Sequence, residues 1–176
     1  MSQRVFSIRM LTEAEIQPHL PILAHLLQDA VEGGASVGYL PPLALEPALA
    51  YWHDVMVAVA NGHRVLLVAE QDGKVVGTVQ LDLATKPNGL HRAEVSKLLV
   101  HSQARRQGIA QQLMLAIEEA AYQHHRTTLV LDTLQGEPSE LLYQKLGYTA
   151  AGTIPAFARV GSGELEPTVV YYKLLA

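Results

Sequence analysis

The stretch EVSKLLVHSQARRQGIA, Glu94 to Ala110, constrains the fold more than any other part of the chain. Its apolar run predicts a strand over Arg92 to Val100, then a short polar loop, then a glycine-bearing turn into a long helix. Between Val95 and Ile117 the chain carries three cations, Lys97, Arg105 and Arg106, and no carboxylate. A helix N-terminus adds four unpaired backbone N–H groups and about half a positive charge. Gly108 removes the side chain where an anion would approach the backbone. Together these predict an anion-binding turn suited to a pyrophosphate, held by the N–H groups from Arg106 to Gln111. The plain alternative is an ordinary strand-to-helix connection whose arginines point into solvent.

Around that stretch the chain reads as one α/β domain spanning residues 1–176, with no repeat, low-complexity tract or linker. Val5 to Met10 predicts a strand. Thr12 caps a helix that runs to about Val31, with Pro18 and Pro21 expected to break or kink it. A loop of small residues, Gly33 to Pro42, follows and suits a substrate lid, with Tyr39 near its end. Glu46 and Pro47 open a second helix that ends near Gly62. Val65–Glu70 and Lys74–Leu83 form a hairpin about Gln71-Asp72-Gly73, and Lys86 to Leu90 is a turn. After Gly108, a helix places Ile109, Leu113, Ile117 and Ala120/Ala121 on one face. Thr127–Leu131 reads as a strand ending at Asp132-Thr133, and Pro138 to Lys145 as a short helix. Tyr148–Ile154 and Thr168–Leu174 are the last strands, with Pro167 in the loop between them.

Composition excludes several classes. A net charge of −4 gives no general affinity for nucleic acid or an anionic membrane. There is no cysteine, so disulfides and thiol nucleophiles are absent. The eight histidines show no metal-ligand spacing, and no metal is expected. Arg4, Arg9, Glu13 and Glu15 interrupt any signal-peptide core, and no apolar run approaches the ~20 residues needed to span a bilayer. A soluble, cytoplasmic protein is expected.

Two motifs carry a family resemblance. Arg105-Arg106-Gln107-Gly108-Ile109-Ala110 resembles the (Gln/Arg)-x-x-Gly-x-(Gly/Ala) turn of the GNAT acetyl-CoA-dependent N-acetyltransferases, and it follows a Leu98-Leu99-Val100 strand end. Leu142 to Tyr148 resembles their short tyrosine-bearing helix. The resemblance implies a mixed, mostly antiparallel central sheet flanked by helices, with acetyl-CoA as cofactor. Leu98, Leu99 and Val100 would hold the pantetheine arm and the oxyanion, through a bulge near Leu99 and Val100. One departure is Gly136, where many members carry an asparagine seven residues before the tyrosine. A closer resemblance, to the tabtoxin-resistance group, rests on Gly33–Gly38, Lys86–Leu90, Leu131–Thr133 and Pro167–Tyr171. It implies a small amino-acid-like acceptor and, in use, antibiotic resistance.

Acetyl transfer needs a neutral amine, a polarised thioester carbonyl and a protonated leaving sulfur. An alkyl ammonium of pKa ~10.4 costs roughly 4.6 kcal/mol to deprotonate at pH 7, whereas an α-amino group near ~8 costs about 1.4. The resemblance makes Tyr143 the acid for the thiolate, and a phenol of pKa ~10 is protonated at neutral pH. Glu94, fourteen residues before Gly108, and Asp132 compete as base, with a slight lean to Asp132. A base acting through water is a third route. An acceptor carboxylate would need a cation, for which Arg92, Lys86 and Arg159 are candidates, with Tyr39 closing over it. The acceptor is therefore expected to be a small-molecule amine. A peptide acceptor in an open groove, or a coenzyme A-binding module without turnover, are the rivals. Tyr171 and Tyr172 in the last strand leave a homodimer undecided.

Overall fold

The computed structural model describes residues 5–176. Eleven elements follow the predicted order: β1 (Phe6–Met10), α1 (Glu13–Glu32), α2 (Leu45–Ala60), β2 (Arg64–Gln71), β3 (Lys74–Leu83), β4 (Arg92–Val100), α3 (Ile109–Gln123), β5 (Thr128–Leu134), α4 (Pro138–Lys145), β6 (Thr149–Arg159) and β7 (Leu165–Leu174). The strands form one seven-stranded sheet in the order β1-β2-β3-β4-β5-β7-β6. Among the described residues β4 and β5 are the parallel pair, and the other neighbours are antiparallel.

Two apolar layers sandwich the first half of this sheet. The predicted face of α3, Ile109, Leu113, Ile117 and Ala120/Ala121, is buried with Met114 against Val79, Leu81 and Val95. On the opposite face α1 and α2 bury Leu23, Leu27, Trp52 and Val55 against Leu66, Val68 and Leu99. Each such aliphatic side chain contributes roughly 1.5–3 kcal/mol of burial. Coverage on both faces explains the nearly unbroken apolar run of β2. Beyond β4 the helices α1 and α2 no longer reach, and β6 is exposed along nearly all its length.

Local sequence sets the joints. Thr12 and Glu15 form a reciprocal capping box at the start of α1. Asp72 and Gly73 both take positive φ, the geometry of a two-residue hairpin turn between β2 and β3.

Three expectations are corrected. Helix α1 runs unbroken through Pro18 and Pro21, because both lie exposed, where water can serve the carbonyls they leave without a donor. Strand β5 extends to Leu134, so Asp132 lies within the strand, paired with Val170, and not at its end. Strands β6 and β7 are longer than predicted, with Pro167 inside β7. An irregularity between Ile154 and Ala158, with Ala156 at φ 51°, carries β6 on to Arg159.

Candidate active site

The parallel pairing of β4 and β5 covers only Arg92–Glu94 against Thr128–Val130. Past that point the two strands separate, and the edge of β4 that faces β5 loses its partner. The wedge so formed is part of a cavity of about 910 Å³, lined by β4 from Glu94 to Val100 and by Asp132, Thr133 and Leu134 of β5. The loop from Gly33 to Leu40, the start of α4 and the end of β6 complete the walls. A crevice beyond the carboxyl ends of parallel strands is where open α/β sheets bind ligands.

Strand β4 bulges within this wedge. Val79 of β3 faces both Lys97 and Leu98, and Lys97 sits at φ 49°. The bulge was expected near Leu99 and Val100; those residues are back in register with Thr78 and Gly77. Thr78, fully buried, donates its hydroxyl to the Lys97 carbonyl at 3.1 Å and so pins the distortion. The His101 N–H bonds the Val76 carbonyl, and alternation along the ladder then turns the Val100 N–H away from β3, into the wedge.

At one end of the cleft lies the glycine turn. Gly108 caps α3 at φ 82°, a left-handed conformation that side chains resist, and open space surrounds its Cα. The N–H groups that open α3, including those of Ile109, Ala110 and Gln111, therefore face outward without intrahelical partners. Arg106 also takes positive φ, at 60°, and its side chain is exposed. Arg105 turns back, its Nε donating to the Val100 carbonyl at 3.2 Å. The Gln107 side chain is held by Gln71 at 2.9 Å. Sequence reasoning missed Asp29, whose two oxygens accept from the Ser102 N–H and hydroxyl at 2.8 and 2.7 Å. That contact ties the end of α1 to the loop before the turn. This geometry fits a phosphate-bearing cofactor with an extended arm, since backbone donors are presented at the turn and along the unpaired β4 edge.

At the other end titratable side chains gather. Tyr143 of α4 lines the cavity while only 7% exposed. Burial, with the negative charge of Asp132 nearby, pushes its hydroxyl up to about 12. Asp132 accepts the Thr168 hydroxyl at 2.8 Å. Glu94 reaches solvent but is crowded by protein; desolvation first, then the charges of Asp82 and Asp132, raise its carboxyl above the usual range. Tyr39 lines the cavity from the loop, its ring edge-on to Tyr51 at 6.0 Å. Gly136, where many members of the resembled family carry an asparagine, takes φ 87° and supplies no side-chain amide. Its N–H bonds Glu140, while Ser139 meets the Thr133 hydroxyl at 2.7 Å and lines the cavity.

The structure does not bring Lys86 and Arg92 to the cavity. Lys86 precedes the turn at Pro87–Gly89, and the Arg92 guanidinium packs on Gly89 at the closed end of the β4–β5 pair. Arg159 does line the cavity, its guanidinium bonded to the Gly163 carbonyl. Lys97, counted from sequence only among the cations of the anion-binding stretch, lines it as well. Its signal was present as a cation placed between apolar strand residues, Val95 and Leu98. Among the described residues, no three His, Asp or Glu side chains gather as a metal site, and no helix is long and apolar enough to cross a membrane.

Comparison with known proteins follows this geometry. The model of the acetyltransferase (GNAT) domain matches residues 61–150, from the start of β2 to the start of β6. An N-acetyltransferase encoded in the hisH–hisA intergenic region of Azospirillum brasilense is 33% identical over 122 residues, covering 66% of this chain and 71% of that protein. Among solved structures, the ribosomal-protein-alanine N-acetyltransferase of Brucella melitensis superposes with a TM-score of 0.79 at 26% identity, over 96% of this chain and 99% of that one. An acetyltransferase of Salmonella typhimurium, solved with its cofactor acetyl-CoA, superposes with a TM-score of 0.78 at 19% identity, over 97% and 94%. The wedge, the glycine turn and these matches agree, and the chain belongs to the acetyltransferase (GNAT) domain family of acetyl-CoA-dependent N-acetyltransferases.

Proposed function

We propose that the protein acetylates the amine of a small molecule. One observation carries the preference for a small acceptor. The α1–α2 loop meets the β6–β7 turn, since a Cβ placed on Gly161 would lie 3.2 Å from Cγ of Pro41. Tyr39, from the same loop, packs on Tyr51. The same two segments line the cavity through Tyr39, Leu40, Phe157 and Arg159, which narrows the acceptor end where a polypeptide would need a long open groove.

Acetyl-CoA supplies the acetyl group as a thioester, and the residues divide the remaining work. The N–H groups from Gly108 to Gln111 and the unpaired edge of β4 from Leu98 to Val100 hold the cofactor. The Val100 N–H and the bulge stabilise the carbonyl oxygen as it gains charge. Glu94, raised towards the pH at which a base works best, accepts the proton that the amine loses as its bond to carbon forms. Burial, then the charges of Asp82 and Asp132, keep Glu94 raised, and Asp132, held by Thr168, draws the ammonium in. Tyr143 gives its proton to the departing sulfur as the carbon–sulfur bond breaks. Asp132 as the base itself is the alternative assignment of the same groups. A β-lactam amino acid of the tabtoxinine type is a specific acceptor suggested by the loop resemblance, and the cytoplasm, where acetyl-CoA is made and used, is the proposed setting.

A second reading, acetylation of a peptide α-amine, draws on the Brucella melitensis relative, whose name specifies ribosomal-protein alanine. Free-thiol release from acetyl-CoA decides between them. The panel comprises amino acids, tabtoxinine-β-lactam, polyamines, aminoglycosides and short peptides. Turnover confined to small amines is expected. Turnover with peptides alone would transfer the proposal to the second reading.

A further inference from the structure

The cavity holds a cation that acetyl transfer leaves without a task. Lys97 occupies the bulge of β4 at φ 49°, a conformation that costs a non-glycine residue roughly 1–2 kcal/mol. The side chain runs to the α1–α2 side of the sheet, where its Nζ lies 5.2 Å from the centre of the Tyr51 ring. Tyr51 in turn donates to Gln80 at 3.1 Å, and Tyr39 abuts Tyr51. Three carboxylates, Asp82, Glu94 and Asp132, lie near enough to influence Lys97, yet none comes within the 4 Å of an ion pair. Asp82 is already engaged by Arg64 and by the Ser96 hydroxyl at 3.1 Å. Burial and the nearby Arg64 lower the Lys97 ammonium below its ordinary value, against the three carboxylates that raise it.

The other cations of the cavity are committed. Arg105 is turned to the Val100 carbonyl at the cofactor end, and Arg159 to the carbonyl of Gly163. The fully buried Gln80 amide accepts the Tyr51 hydroxyl and stands outside the cavity lining, so Lys97 is the cation presented on this side. An ammonium on an aromatic face, with no carboxylate within ion-pair distance, is complementary to an anion. Glu94, three residues back along β4, and Asp132 on β5 are complementary to an ammonium. We propose that Lys97 anchors an anionic group of the acceptor, so that the acceptor class is an amine bearing a carboxylate, as in an α-amino acid. This rests on the acetyl-transfer reading above and adds a specificity determinant to it. The ammonium of such an acceptor meets Glu94 and Asp132 while its carboxylate reaches across to Lys97.

Matched acceptors test the proposal: L-leucine against L-leucinamide, L-methionine against L-methioninamide, and L-lysine against cadaverine. In the wild type, kcat/KM favours the carboxylate member of a pair by about 10- to 100-fold, the range expected of a charge-assisted contact. Lys97→Met collapses that ratio towards one through KM of the acid, with KM for acetyl-CoA within twofold. Lys97→Arg retains part of it. Wild-type preference for the uncharged members, or equal loss for both members in Lys97→Met, overturns the proposal; the latter would reduce Lys97 to a counter-charge for Glu94 and Asp132. Turnover of cadaverine or peptides alone overturns it while leaving acetyl transfer standing. Failure of every acceptor to release thiol from bound acetyl-CoA counts against acetyl transfer itself.

Discussion

The two ends of the cleft are built from different material. The cofactor end is mostly backbone from one continuous segment, the β4 edge followed by the turn at Gly108 and the first N–H groups of α3. The end proposed for the acceptor is lined mostly by side chains from distant segments: Tyr39 from the loop, Lys97 from β4, Asp132 from β5, Tyr143 from α4 and Arg159 from β6. Backbone donors read the phosphates and amides of a fixed cofactor and tolerate wide variation in side chains. Side chains on separate elements can change one at a time, and with them the acceptor. A single fold thus keeps its acetyl donor while changing its acceptor.

If the ends are separable in this way, substitutions should damage one without the other. Tyr143→Phe has the largest expected effect, a fall in kcat of roughly 10²–10⁴-fold, the usual worth of a general acid. Its affinity for coenzyme A, read by calorimetry, should stay within twofold. Gly108→Ala meets no steric obstacle but forces a side chain into left-handed backbone. The strain of roughly 1–2 kcal/mol is relieved if the free turn relaxes and is restored when acetyl-CoA binds, which weakens binding by up to about 5- to 30-fold, with kcat at saturation retained. Thr78→Val removes the hydroxyl that pins the bulge and leaves the Lys97 carbonyl unpaired. A loss of about 1–3 kcal/mol in denaturant unfolding is expected, together with a lower kcat. Asp82→Asn has the smallest effect and addresses the base. Burial and then the Asp82 charge raise the Glu94 carboxyl, so removing that charge lowers it and moves the acid limb of kcat/KM to lower pH. Release of Arg64 acts in the same direction. An unmoved limb would transfer the role of base away from Glu94.

The same division explains what could be read from sequence. The strand–turn–helix at Gly108, the apolar face of α3 and the hairpin at Asp72-Gly73 depend on local spacing, and all are found where that spacing put them. The extent of β5, and so the position of Asp132, depends on pairing with β7, a contact distant in sequence. Arg92 and Lys86 were attractive as cations flanking β4, but the β4–β5 pair is closed at their end and open at the other. That polarity is a property of the sheet and not of either strand. Lys97 was visible as a lone cation between apolar residues. Its reach to Tyr51 requires α2 to cross that face of the sheet, which no local pattern states.

The most direct measurement pairs Tyr143→Phe with Gly108→Ala and determines, for each, coenzyme A affinity by calorimetry and the single-turnover acetyl-transfer rate at saturating acetyl-CoA. The predicted result is a crossed pattern: Tyr143→Phe binds as the wild type does but transfers at least about 100-fold more slowly. Gly108→Ala binds more weakly but transfers at the wild-type rate once filled. Parallel loss of binding and rate in both variants, or an unimpaired Tyr143→Phe, would contradict a cleft whose two ends do separate work.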